Sequence, residues 1–230
     1  MILFERVTKR YPNGREALRA ASFSIDRGEM VFLTGRSGAG KSTVLKLIAM
    51  LERPTRGTVV VNGQNLGALK SRHLPAFRRT LGVVFQEHRL LDDRPVFDNV
   101  ALPLVVAGAQ PSELDKRVRA ALDQVGLLGK ERMLPNELSV GEQQRVGIAR
   151  AVVGKPSVLI ADEPTGNLDP ALALEVMKLF KRFQDVGVTV IIATHDLHVV
   201  HEFGQRRIVL EDGQIQGSGE APLPSMTATR

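Results

Sequence analysis

The run Met30-Val31-Phe32-Leu33-Thr34-Gly35-Arg36-Ser37-Gly38-Ala39-Gly40-Lys41-Ser42-Thr43 decides the fold. Its first five residues form a continuous apolar and β-branched stretch, the pattern of a strand buried on both faces. From Gly35 to Ser42 the spacing is G-x-x-x-x-G-K-[ST], and from Lys41 to Met50 the apolar residues recur at helical intervals. Strand, glycine-rich loop and helix in that order predict a loop whose backbone N–H groups close round phosphates, with the helix N-terminus adding the positive end of its dipole. Lys41 is then placed to reach the β- and γ-phosphates, and the Ser42 hydroxyl to bind Mg²⁺.

Outward from this loop, strands are predicted at 2–7, 21–25, 58–61, 81–85, 158–161, 188–193 and 208–210, several of them beside turn signals such as Asn62-Gly63 and Asp212-Gly213. Helices are predicted at 111–125, 140–153, 170–185 and 196–203. This alternation implies an α/β core with parallel strands. The segment from about 71 to 134 carries one short strand among helical stretches punctuated by Pro75, Pro95, Pro103 and Pro111, and reads as a helical subdomain inserted in that core. Residues 218–230 have the small and proline-rich composition of a flexible tail.

The strand Ser157-Val-Leu-Ile-Ala161 ends in Asp162-Glu163. An acidic residue at the end of a strand, beside a phosphate loop, is suited to holding Mg²⁺, which assigns Asp162, and Glu163 next to it can take a proton from an attacking water. The remaining composition excludes more than it assigns. With no Cys, there is no disulfide framework, iron-sulfur cluster or thiol nucleophile. The longest apolar stretch, Val100 to Ala109, is too short to span a bilayer, and the charged start at Glu5 and Arg6 does not read as an export signal. The first 80 residues hold 15 Lys and Arg against 5 Asp and Glu, and the rest 16 against 20, so the net charge of +6 is concentrated early in the chain. His195, His198 and His201 are spaced by three, but the first falls at a strand end and no cysteine or carboxylate set accompanies them, so they do not read as metal ligands.

Leu138-Ser139-Val140-Gly141-Glu142-Gln143-Gln144-Arg145 stands before a helix and before the Asp-Glu strand. With the phosphate loop, this order resembles the nucleotide-binding domain of ABC ATPases, whose signature reads L-S-G-G-Q. Ser139 followed by Glu142 also spells a helix capping box, and both readings can hold together. Val140 departs from the pattern, while Gly141 keeps it. The resemblance runs from residue 1 to about 217 and implies ATP and Mg²⁺ as ligands, a P-loop core with an antiparallel β subdomain and the inserted helical subdomain, and hydrolysis of ATP to ADP and phosphate. It implies that Tyr11 stacks on adenine, that Gln86 senses Mg²⁺ and links core to helices, and that His195 contacts the γ-phosphate. It further implies that Ser139 and Gly141 of one copy close on the nucleotide of another, with Asp169 of Asn167-Leu168-Asp169 at that dimer interface.

Asp162-Glu-Pro-Thr-Gly-Asn-Leu-Asp169 and Gly141-Glu-Gln-Gln-Arg-Val-Gly-Ile-Ala-Arg150 resemble the branch of the family that serves cell division, lipoprotein release and macrolide efflux. Asp93-Arg-Pro-Val-Phe-Asp-Asn-Val100 is most similar to the bacterial cell-division members. These imply a homodimer on ATP binding, an integral membrane partner, other division proteins as possible contacts, and a place on the cytoplasmic face of the inner membrane at the septum. A nucleic-acid ATPase of the chromosome-maintenance type is not expected, because the stretch between Lys41 and Ser139 has no sustained heptads for a long coiled coil.

Overall fold

In the computed structural model, residues 1–87 and 89–219 are described. The chain opens with β1 (Ile2–Arg10) and β2 (Glu16–Ile25), then runs through β3 (Met30–Thr34), α1 (Lys41–Ile48), β4 (Arg56–Val61) and β5 (Gln64–Asn65). α2 (Leu74–Arg78), β6 (Leu81–Val84), α3 (Val96–Val106), α4 (Pro111–Gln124) and α5 (Val140–Val152) follow. The last part is β7 (Val158–Asp162), α6 (Pro170–Asp185), β8 (Thr189–Ala193), α7 (Leu197–Phe203), β9 (Arg206–Glu211) and β10 (Gln214–Gly219).

Two sheets divide these strands. One is antiparallel with order β2-β1-β4-β5, and its buried residues alternate, as one covered face requires. Phe4 and Phe23 stack across its first pair with ring centroids 4.4 Å apart. The other has order β10-β9-β3-β8-β7-β6 and is parallel from β9 to β6. All five residues of β3 and of β8 are buried, because helices cover one face of this sheet and the antiparallel sheet with α1 covers the other. Successive side chains therefore go to different cores: Phe32 packs with α3, α5 and α6, whereas Val31 and Leu33 pack with α1 and the antiparallel sheet.

The structure differs from the sequence expectation in three places. β6 lies within 71–134 yet is a strand of the parallel sheet, paired with β7, so the core reclaims part of the predicted insertion. The helical part of the insertion is built by α3 and α4, whose buried residues join the same core as Phe32, and α5 beyond residue 134 packs with both. Second, α3 continues through Pro103. A proline there forfeits one backbone hydrogen bond, to the Asn99 carbonyl, but the burial of Val96, Val100, Ala101 and Leu104 holds the helix in place. Third, β10 carries the chain to Gly219, two residues past the 217 boundary. Its hairpin is set by Asp212 and Gly213, both at positive φ (47° and 80°), the geometry of the two-residue turn that matches strand twist. The remainder of the expected tail, 220–230, lies outside the described residues.

Candidate functional site

The order β3-β8-β7-β6 places the loops that leave these four strands side by side at their carboxyl ends, where open α/β sheets bind ligands. The phosphate loop follows β3, His195 follows β8, Asp162 and Glu163 end β7, and Gln86 follows β6. Backbone hydrogen bonds fix the row: Thr194 N–H donates to the Leu33 carbonyl at 3.1 Å and Glu163 N–H to the Ala193 carbonyl at 2.8 Å.

The cleft above this row has a volume of about 350 Å³ and gathers Tyr11, Ser37, Gly38, Lys41, Asp162 and Glu163. Gly40, Ser42, Thr43 and Gln86 also face it. Gly35 adopts φ 147°, and a Cβ there would run into the Leu210 carbonyl, so the loop can turn at this point only without a side chain. Gly40 precedes α1 with no side-chain cap, and the first turn of α1 holds no acidic residue. Its leading N–H groups are thus left for an anion. The Lys41 ammonium is buried and donates to the carbonyls of Gly35 (2.8 Å) and Arg36 (3.2 Å), which points it back over the loop. Ala39 is buried beneath.

Glu163 sits at φ 48°, a costly region for a residue with a side chain. Its carboxylate is thereby aimed between two cations or donors, with Oε1 3.8 Å from Lys41 Nζ and Oε2 2.6 Å from His195 Nδ1. Asp162 is different in kind. Burial pushes its carboxyl above the ordinary 3.8, the hydrogen bond from Ser42 works the other way, and the neighbouring Glu163 charge raises it further. Its Oδ1 is buried without a hydrogen-bond partner. An unmet carboxylate oxygen beside a serine hydroxyl fits a hard divalent cation, which would satisfy the acceptor and offset the cost of burying its charge.

Tyr11 reaches the same cleft from the end of β1. Its hydroxyl is 3.4 Å from Thr43 Oγ1, and the Lys9 ammonium lies 4.9 Å from the ring centroid. Arg15 was not legible as a site residue from sequence, since nothing in its local pattern marks it. The fold brings it beside the loop, where its guanidinium donates to the Gly38 carbonyl at 3.0 Å. Lys46, one turn along α1, also lines the cleft and was likewise missed.

Three expected residues do not join this cleft within one chain. Ser139 is exposed and caps α5, accepting from Glu142 N–H at 3.3 Å, while Glu142 Oε2 accepts from Ser139 N–H at 3.0 Å. The capping box read from sequence is therefore present. Gly141 is buried in the first turn of α5, where a Cβ would overlap the Leu172 side chain. Asp169 caps α6 by accepting from Leu172 N–H at 3.0 Å. Leu172 thus brings the starts of α5 and α6 together on a surface apart from the cleft.

Comparison with known proteins agrees with this geometry. The sequence profile of the family described as ABC transporter matches residues 18–166. The chain is 54% identical over 217 residues to the cell division ATP-binding protein FtsE of Escherichia coli strain K12, covering 94% of this chain and 98% of that protein. It is 49% identical over 215 residues to the protein of the same name from Bacillus subtilis strain 168, covering 94% of each. Among solved structures, the dimeric structure of MJ0796, a bacterial ABC transporter cassette, superposes with a TM-score of 0.87 at 37% identity, covering 96% of this chain and 98% of that one. A dimeric post-hydrolysis state of MJ0796 bound to ADP and Pi gives the same TM-score at 36% identity. With a profile match over residues 18–166 and a relative 54% identical over 94% of this chain, the chain belongs to the ABC transporter family.

Proposed function

We propose that this chain is the ATP-binding and hydrolysing subunit of a membrane-associated complex in bacterial cell division, in which two copies form an ATP-driven clamp that works on an integral membrane partner resembling FtsX and through it regulates septal peptidoglycan hydrolysis. The observation that carries this reading is a cleft joining the phosphate loop, Asp162, Glu163 and Gln86 in a chain 54% identical, over nearly its full length, to a cell division ATP-binding protein. The two MJ0796 structures are described as dimeric, which supports the clamp. Among the described residues no helix is long and apolar enough to cross a membrane, so attachment rests on the partner. The reading places the chain at the cytoplasmic face of the inner membrane, at the septum.

In this mechanism Tyr11 stacks on the adenine and the loop from Gly35 to Thr43 closes round the phosphates. Ser42 and Asp162 would hold Mg²⁺, with Gln86 completing the set, and the ion would neutralise charge on the phosphate oxygens. Glu163 takes the proton of the attacking water, with Lys41 and the N–H groups of α1 stabilising the charge that develops. His195 contacts the γ-phosphate and orients Glu163 through their 2.6 Å contact. Ser139 and the Gly141 backbone approach the same phosphate from the second copy, with Asp169 at the interface between the copies.

The partner reads this cycle through Gln86, which borders the cleft and an adjoining hollow of about 280 Å³. Next to it, Arg78, Arg79, Pro103, Leu104 and Val106 line a groove of about 640 Å³ between β6 and α3. Arg78 is anchored on the Met50 carbonyl (2.8 Å), and Val105 and Val106 are exposed at the end of α3. An apolar groove edged with arginines suits a short helix carrying an acidic residue.

The test is to purify the full chain from detergent-solubilised membranes and identify the integral protein bound to it. An FtsX-like protein is expected. Capture of a lipoprotein-release or macrolide-efflux subunit in its place would overturn the division role.

A further inference from the structure

The serine at the head of α5 is held by more than its own helix. Each half of its capping box goes to Glu142, whose N–H donates to Ser139 Oγ and whose Oε2 accepts from Ser139 N–H. A carboxylate engaged through one oxygen keeps rotational freedom. Here the other oxygen, Oε1, accepts from Lys130 Nζ at 2.5 Å, with Glu142 only 19% exposed. Hydrogen bonds from the Lys130 ammonium and then the Ser139 N–H hold the Glu142 carboxyl below its usual value.

Lys130 belongs to neither helix of this contact. It stands in the connection after α4, and that connection is fixed from the other side: Phe97 N–H donates to the Glu131 carbonyl and Val96 N–H to the Met133 carbonyl, both at 2.9 Å. These are the first N–H groups of α3, whose N-cap, Pro95, offers no side-chain acceptor. The start of α3, the 130–133 connection and Ser139 are consequently joined by a short series of hydrogen bonds. In it, the Lys130 side chain ties the connection to Glu142 of α5.

We propose that Lys130 is a positioning residue for Ser139: by clamping Glu142 from a connection anchored on α3, it sets the orientation in which the serine meets the nucleotide of a second copy. This rests on the clamp reading. It adds a residue far from the cleft in sequence and absent from the motifs, and it gives the partner-facing helix a direct mechanical hold on the signature.

The experiment uses the full chain with Glu163→Gln, which traps the ATP-bound state, and adds Lys130→Met, Lys130→Arg, Glu142→Gln or the pair Lys130→Met with Glu142→Gln. Sedimentation with ATP reads the dimer, and ATP binding to dilute protein reads the single chain. Turnover is measured for the same substitutions with Glu163 intact. Lys130→Met is expected to weaken the ATP-driven dimer three- to tenfold and to lower kcat at limiting protein, with ATP affinity of the single chain and KM unchanged. Lys130→Arg should restore both. Glu142→Gln keeps the acceptor for Ser139 N–H and loses the ion pair, so the double variant should be no worse than Lys130→Met alone. Equal dimerisation of Lys130→Met and its parent, losses that multiply in the double variant, or a drop in single-chain ATP affinity would each overturn the proposal. Failure of the Glu163→Gln parent to dimerise with ATP would instead bring down the clamp reading, and this inference with it.

Discussion

The cleft at the carboxyl ends of the parallel strands and the surface that carries Ser139 are built in opposite ways. In the cleft, side chains that follow three neighbouring strands converge: Glu163 lies 3.8 Å from Lys41 and 2.6 Å from His195, and each of the three follows a buried strand. At the Ser139 surface the serine's hydroxyl and N–H are bound to Glu142 of its own helix, and its carbonyl accepts from Gln143 N–H. One region is a finished receptor for phosphates and the other is a finished helix end. The lesson is that the polar groups of Ser139 and Asp169 are satisfied locally within a single chain, whereas the cleft draws on residues far apart in sequence.

Substitutions can break this division of labour. The largest effect is expected from Glu163→Gln, which keeps size and removes the proton acceptor: turnover should fall by about 10² to 10⁴ while ATP binding survives. Phosphate release and ATP binding on one preparation check it, and near-normal turnover would remove Glu163 from its role. Ser139→Ala should lower turnover about 10- to 100-fold, the value of a hydrogen bond to a charged group, with single-chain ATP affinity unchanged. A loss of ATP affinity in dilute protein would mean the two regions are not separate.

A smaller effect concerns the cost of the cleft itself. Because burial raises the Asp162 carboxyl, that group adds stability below its ordinary pKa of 3.8 and loses it as pH rises through the higher folded value. At pH 8 the nucleotide-free chain carries the full cost of the buried charge. Asp162→Asn should therefore raise the melting temperature at pH 8, and the gain should shrink as pH falls toward 4, while hydrolysis is lost. Calorimetry across that range without Mg²⁺ decides the matter. The smallest effect is expected at Val140, which is 49% exposed beside Ser139. Val140→Gly should cost the fold only about 0.5 kcal/mol in helix propensity and leave the ATP-driven dimer as strong or stronger. A clear loss of dimer by sedimentation would show that the valine itself makes the contact.

Sequence and structure agree most closely where chemistry demands particular residues at fixed spacing. The phosphate loop, Asp162-Glu163 and Ser139 with Glu142 are all contiguous motifs, and each stands where its local pattern places it. What was hidden depends on contacts between distant residues. Arg15 reaches Gly38 only because the antiparallel sheet folds beside α1, and Lys130 reaches Glu142 across a connection. The continuity of α3 was masked by Pro103, whose local penalty is outweighed by burial. β10 was legible in principle, since Asp212-Gly213 signals a hairpin and a hairpin needs a second strand; its Gly-Ser composition hid it.

β8 offers no side chain to the cleft, yet the Ala193 carbonyl receives Glu163 N–H, and Thr194, the next residue, donates back to Leu33. It serves as the ruler against which Glu163, His195 and the phosphate loop are all measured. Since a strand can slip only by whole residues, the ruler has no intermediate readings. Gentle heating should not blur the cleft by degrees; catalytic competence and the central sheet should disappear at the same temperature, in one step.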